Sequence, residues 1–113
     1  MSQSKELVAA SATPMILAIL SRGKSYGYAI IQELRELSND EIQWTDGMLY
    51  PVLRRLEKQG LVRSEWQVGD NGKRRRYYCI EKPGTVKLQE QKQQWKLTNK
   101  VLNKLWEGVP CSS

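Results

Sequence analysis

The stretch from Gln43 to Ile80 constrains the chain most, because two periodicities meet in it without a spacer. Leu49, Val52, Leu53 and Leu56 recur at i, i+3, i+4 and i+7, one side of a helical repeat. At about 100° per residue, the opposite side carries Gly47, Pro51, Arg54 and Lys58, with Tyr50 and Arg55 flanking. That outward side is small at its start and cationic at its end. After Gly60 the period drops to two, with Val62, Trp66 and Val68 alternating against Arg63, Glu65 and Gln67. Gly69-Asp70-Asn71-Gly72 supplies a reversal, since Asn and Gly tolerate positive φ. Lys73 to Ile80 then runs back as a second strand that opens on four consecutive cations, which repel one another unless something anionic lies alongside. A short helix, a tight turn and a basic hairpin in succession predict a winged helix. A helix lying in a DNA groove needs flat N-terminal positions for base edges and cations for phosphates, and both are here. The plainer alternative is that the basic run is a solvated face.

The residues that carry this pattern also carry a resemblance. Tyr26-Gly27-Tyr28-Ala29-Ile30, the run Leu49-Tyr50-Pro51-Val52-Leu53-Arg54-Arg55-Leu56-Glu57-Lys58-Gln59-Gly60-Leu61-Val62, then Trp66 and Arg75-Arg76-Tyr77-Tyr78 resemble the PadR family of bacterial transcriptional regulators. The likeness extends roughly from Pro14 to Trp106. It implies a winged-helix DNA-binding domain, a C-terminal dimerisation helix and, commonly, repression relieved by a small molecule. One departure is Glu81, which stands near the place where the family commonly has a threonine.

Composition narrows the function. The 113 residues suit one domain with an appended helix, and a core this small gains from dimerisation. A net charge of +6 favours an anionic partner. The cations sit on a hairpin and not along one face of an amphipathic helix, which argues against a membrane surface. The apolar run Met15–Leu20 is too short to span a bilayer. Cys79 and Cys111 form no disulfide framework or metal spacing, which suits a reduced cytoplasm. The chain has no histidine, and it carries neither a phosphate-binding glycine loop nor a nucleophile elbow. No enzyme activity, catalytic residue, cofactor or metal is expected.

The fold class expected is mainly α with a small β-wing: a winged helix-turn-helix plus a C-terminal dimerisation helix. Its parts are residues 1–82 as the DNA-binding domain with its N-terminal helix, 83–107 as the dimerisation helix and 108–113 as a flexible tail. Thr13-Pro14 reads either as a capped restart of the first helix or as a kink. Met15 to Leu20 is apolar nearly all round, so that helix should be buried on more than one side, in part by another subunit. Ser25 should cap a second helix striped by Tyr26, Ile30, Leu34 and Leu37 and ending near Ser38-Asn39-Asp40. Its N-terminal amides can face a phosphate, with Lys24, Ser25 and Tyr26 as contacts; Tyr26 is equally readable as a core residue. Ile42 and Trp44 alternate and could add a short strand to the wing, with Trp44 as packing. Thr45 or Asp46 should cap the recognition helix, and Asp46 could alternatively read a cytosine amino group. Pro51 either bends that helix or marks a late start.

The expected DNA contacts are therefore Lys24, Ser25 and Tyr26; Thr45, Gly47, Met48, Tyr50, Pro51, Arg54, Arg55 and Lys58; and Lys73, Arg74, Arg75 and Arg76 in the wing. The last helix, opened by Gly84 and running Thr85–Trp106, has Leu88, Trp95 and Leu102 seven apart, with Gln91, Thr98 and Leu105 in the alternate slots and Trp106 on the same side. Val86, Leu97 and Val101 occupy another side, and one small domain cannot bury both. A homodimer supplies the second surface, with Leu88, Trp95, Thr98, Leu102, Leu105 and Trp106 as its interface residues. Some members of the resembled family pair a tryptophan across the two-fold axis, and Trp95 stands in that place. By that likeness Trp95, with Leu88 and Gln91, could hold a planar aromatic or phenolic effector, with Lys92 or Lys96 as a nearby cation; dimer packing alone is the plainer account. The overall expectation is a homodimeric repressor on double-stranded DNA with an inverted-repeat operator. The alternative is an RNA-binding or protein-interaction winged helix without a specific operator.

Overall fold

The computed structural model describes residues 5–108, and Cys111 lies outside them. The order is α1 (Lys5–Ser21), β1 (Ser25–Tyr26), α2 (Gly27–Leu37), α3 (Asp46–Lys58), β2 (Val62–Val68), β3 (Arg74–Ile80) and α4 (Lys82–Glu107). One antiparallel sheet has the order β1-β3-β2, so the hairpin partner β3 is central. This is the winged helix-turn-helix with a long C-terminal helix that the periodicities predict.

The core is built from one side of each element. Leu49, Leu53 and Leu56 of α3 are buried, as their spacing requires, against Ile30 and Leu34 of α2 and Ile16, Leu17 and Leu20 of α1. Val62 and Tyr78 bring in the sheet, and Leu88 brings in α4. Helix α1 is covered on several sides, as its all-round apolar sequence predicts.

Several local expectations are corrected. Helix α1 runs through Pro14 without restarting, because apolar packing before and after the proline holds the turn whose hydrogen bond it lacks. Helix α3 likewise starts at Asp46 and passes through Pro51, so the late start does not occur. The carbonyl that Pro51 leaves without a donor belongs to Gly47, on the exposed side where water can reach it. Thr45 holds the N-cap position of α3, with no side-chain cap hydrogen bond. Ser25 lies in a strand and not at a cap; Tyr26 takes the N-cap of α2 through its backbone alone. The third strand is Ser25–Tyr26, paired with Tyr78 and Tyr77, and not the Ile42–Trp44 segment. Trp44 instead enters the core, where its indole N–H has no hydrogen-bond partner among the described residues. Leu37 does not continue the α2 stripe and is 67% exposed. The chain turns away there through Asn39 and Asp40, both at positive φ, while the Ser38 hydroxyl donates to the Leu34 carbonyl and accepts the Ile42 N–H.

Helix α4 starts at Lys82, before Gly84, with Pro83 in its first turn. Gly84 is a requirement of close approach: a Cβ there would overlap the Leu61 carbonyl oxygen, which accepts the Glu81 N–H at 2.9 Å. Glu81 sits at the N-cap without capping through its side chain, and its carboxylate pairs with Arg63 at 3.3 Å. Of α4, Gly84 and Leu88 are buried and Gln91, Trp95 and Leu102 are half-buried. Val86, Leu97, Val101, Leu105 and Trp106 are exposed, Leu97 by 63% and Trp106 by 73%.

Candidate nucleic-acid interface

Burying Leu49, Leu53 and Leu56 turns the other side of α3 outward. Gly47, Pro51, Arg54 and Lys58 are all exposed, with Thr45, Met48 and Tyr50 beside them. Arg54 and Lys58 have no carboxylate within salt-bridge reach among the described residues, so their charges are available to an anion. Arg55 differs: its Nη2 donates to the Thr13 hydroxyl at 2.9 Å, which holds it sideways against α1. Tyr50 reaches back to α2, where Gly27 makes room for it; a Cβ at Gly27 would stand 2.6 Å from the Tyr50 hydroxyl.

Strand alternation divides the wing cations between two faces. Arg75, opposite Gln67, lies on the face away from α3, its guanidinium 4.5 Å from the Tyr26 ring centre. Tyr26 meets Tyr77 edge to face at 5.2 Å, and Lys24 sits over Tyr77 while donating to the Gln67 side chain at 3.0 Å. Tyr26 is therefore neither a core residue nor a free arm but part of an aromatic and cationic ladder that joins β1 to the wing. The face toward α3 carries Arg74 and Arg76, packed at 5.1 and 5.8 Å from the Trp66 ring centre. The alternation reads correctly there, but only Val62 of the apolar set is buried; Trp66 is 56% exposed and Val68 is exposed too, because the hairpin runs out beyond the body. The turn closes on Gly69 N–H to Lys73 carbonyl and Lys73 N–H to Asn71 Oδ1, so Lys73 belongs to the turn and the strand begins at Arg74.

Between α3, the start of α2 and the wing lies an open crevice of about 610 Å³, lined by Tyr28, Tyr50, Arg54, Trp66, Arg74 and Tyr78 among others. Guanidinium groups and aromatic rings converge on it, a combination suited to phosphate and sugar. Tyr78 is buried, and burial pushes its hydroxyl above the usual tyrosine value, while Arg76 pulls the other way.

The anion that relieves the run of wing cations is supplied in part by the protein itself. Arg76 donates through Nε to the Ser64 hydroxyl at 2.9 Å and lies 3.5 Å from a Glu57 carboxylate oxygen. Glu57 and Ser64 carry no role in the sequence reading. The available signal was the placing of Glu57 one turn after Leu53, on the flank of the buried side, where a half-covered carboxylate calls for a cation.

The residues expected to hold an effector also come together. Leu88, Gln91 and Trp95 line a cleft of about 380 Å³ between α1 and α4, with Met15, Ala18 and Lys92. Trp95, Gln91 and Thr98 line a second cleft of about 260 Å³, so the Trp95 ring stands between two hollows. Lys92 borders the first cleft and Lys96 neither. Among the described residues no group of three or more His, Cys, Asp or Glu could hold a metal, and no helix is long and apolar enough to cross a membrane.

A family model described as the transcriptional regulator PadR-like family matches residues 16–90, more than half of the chain. A PadR family transcriptional regulator from Eggerthella lenta superposes with a TM-score of 0.77 at 36% identity, covering 90% of this chain and 87% of its own. A PadR-like transcriptional regulator from Bacillus cereus superposes with a TM-score of 0.81 at 28% identity, covering 92% and 99%. An uncharacterised protein from Lysinibacillus sphaericus is 30% identical over 95 residues, 84% of this chain and 87% of that protein.

Proposed function

The chain belongs to the PadR-like family of transcriptional regulators, which bind DNA and are not enzymes, and we propose that it acts in the cytoplasm as a homodimeric repressor of an inverted-repeat operator. The observation that carries this reading is the exposed cationic side of α3 set beside a cationic wing. In that reading Gly47, Met48, Tyr50 and Pro51 approach base edges, with Thr45 at the helix start. Arg54 and Lys58 take phosphates or guanine edges, with Arg55 at the flank. Lys73, Arg74, Arg75 and Arg76 flank or enter the minor groove, where cations are favoured. Lys24, Ser25 and Tyr26 brace the backbone beside the start of α2.

The homodimer is supported by α4. Leu88, expected in the dimer seam, packs on α1 of the same chain, while Leu105 and Trp106 of the expected seam and Leu97 and Val101 of the other apolar side stay open to water. Two copies joined there hold two recognition helices, so the half-sites should lie about 34–36 Å apart or at a multiple. Trp95, with Leu88 and Gln91, is the proposed seat of a planar aromatic or phenolic effector that favours a dimer unable to hold DNA.

Selecting duplexes from a random pool tests the reading. The expected product is an inverted repeat, bound with an affinity that falls steeply as salt rises. A pool with no symmetry, or a hairpin RNA that competes within about tenfold of the best duplex, would overturn it, since operator discrimination usually exceeds about 10³. Replacing Trp95 with Ala should abolish any quenching of tryptophan fluorescence by planar ligands; an unchanged response removes the effector role.

A further inference from the structure

We infer that Arg76 is a positioning residue, not a DNA contact: with Glu57 and Ser64 it locks the wing to the recognition helix at a fixed angle. The inference rests on the DNA-binding reading above and revises one of its residues. The three side chains come from three elements. The Arg76 Nε of β3 donates to the Ser64 hydroxyl of β2 at 2.9 Å. That hydroxyl donates in turn to Glu57 Oε2 of α3 at 2.7 Å, and the Arg76 Nη2 closes the ring on Glu57 Oε1 at 3.5 Å. The guanidinium is further packed 5.8 Å from the Trp66 ring centre and 5.9 Å from that of Tyr78.

Each link makes a phosphate contact by Arg76 less favourable. Its charge already faces a carboxylate, whereas Arg54, Lys58, Lys73, Arg74 and Arg75 face none among the described residues. A phosphate that captured Arg76 would leave Glu57 uncompensated next to the DNA. The ring instead neutralises Glu57 on α3 and pins the hairpin beyond its root. A protein that touches DNA at two places needs their separation fixed, because a small angular error at the root displaces the tip of the wing by more. The planar fork of an arginine can hold a hydroxyl and a carboxylate at once, and a lysine ammonium cannot reproduce that geometry.

The experiment uses the full chain, the best duplex from the random pool, and random duplex, titrated over a salt series with Glu57→Gln, Arg76→Lys and the charge-conserving double variant Glu57→Gln/Arg76→Gln. Positioning predicts that all three lose about tenfold on the selected duplex, as a broken coupling of this kind gives. The double variant should bind random duplex as the wild type does, with an unchanged salt slope. A direct phosphate contact predicts the reverse: Glu57→Gln binds more tightly, Arg76→Lys keeps its affinity, and the double variant loses about 0.9 from the slope. Any of those three results overturns the inference. Hydrogen exchange without DNA adds a second reading: the β2 and β3 amides should exchange faster in Arg76→Lys while those of α1 stay protected, and unchanged exchange in the hairpin also overturns it. If the wild type itself fails to prefer the selected duplex, the DNA-binding reading has fallen first, and that result is separate from any variant.

Discussion

Helices α3 and α4 are both amphipathic, and they end in opposite states. The apolar stripe of α3 is enclosed: Leu49, Leu53 and Leu56 meet α1 and α2, and what remains outside is Met48, Tyr50 and Pro51 beside the cations Arg54 and Lys58. Helix α4 encloses one apolar side at Leu88 and leaves Leu97 and Val101 of another in water, with Leu105 and Trp106 exposed near its C-terminal end. The first helix is finished as a structural element, and its exposed side is free to be a reading surface. The second is finished only by something apolar. Exposure therefore means different things on the two: at Arg54 it is a solvated cation awaiting an anion, and at Leu97 it is unburied hydrocarbon.

The largest test of this contrast is Leu53→Ala. A fully enclosed leucine should lose about 2–5 kcal/mol on truncation, since the cavity adds to the lost transfer energy. Urea unfolding at fixed protein concentration measures it, and a loss below about 1 kcal/mol would mean that α3 is not closed. Leu97→Glu should act elsewhere. In α4 it should leave the monomer's helical signal intact but weaken association by roughly the burial of one large side chain in each copy, about 1.5–3 kcal/mol per subunit. Sedimentation over a concentration range would reveal it, and an unchanged dimer would break the comparison. A smaller effect is expected for Arg54→Ala: stability within about 0.5 kcal/mol of wild type, with the slope of log affinity against log salt reduced by about 0.9. An unchanged slope would remove Arg54 from the phosphate contacts.

How much of this was legible in the sequence follows from range. The α3 stripe and the hairpin depend on near neighbours, and spacing alone located both. The two-residue strand β1 could not be read, because Ser25 and Tyr26 become strand only by pairing with Tyr78 and Tyr77, about fifty residues away. The alternation of Ile42 and Trp44 suggested a strand, but a pattern of three residues is too short to outweigh a pocket that can bury an indole. Periodicity told which side of the wing Trp66 and Val68 share, but not that nothing would cover it. The basic run Lys73–Arg76 read as four equivalent cations. The fold makes them unequal, because pairing brings Arg76 to Glu57 and turns Arg75 to the opposite face.

The smallest expected effect tests how completely the enclosed side of the molecule is satisfied. Tyr78 is 2% exposed, and no hydrogen bond among the described residues reaches its hydroxyl. Tyr78→Phe should therefore change stability at neutral pH by no more than about 0.5 kcal/mol, since no partner is lost. Its signature lies at alkaline pH. Burial raises the hydroxyl's pKa in the folded protein above its unfolded value, so the folded state keeps the proton longer. The stability this contributes is complete below about pH 10 and is lost as pH rises through the folded value. Unfolding curves of wild type and Tyr78→Phe should thus coincide near neutrality and separate above about pH 10, with the Phe variant the more stable. Curves that stay parallel would mean that its surroundings do not hold the hydroxyl neutral, and a clear loss at neutral pH would mean that it holds a partner.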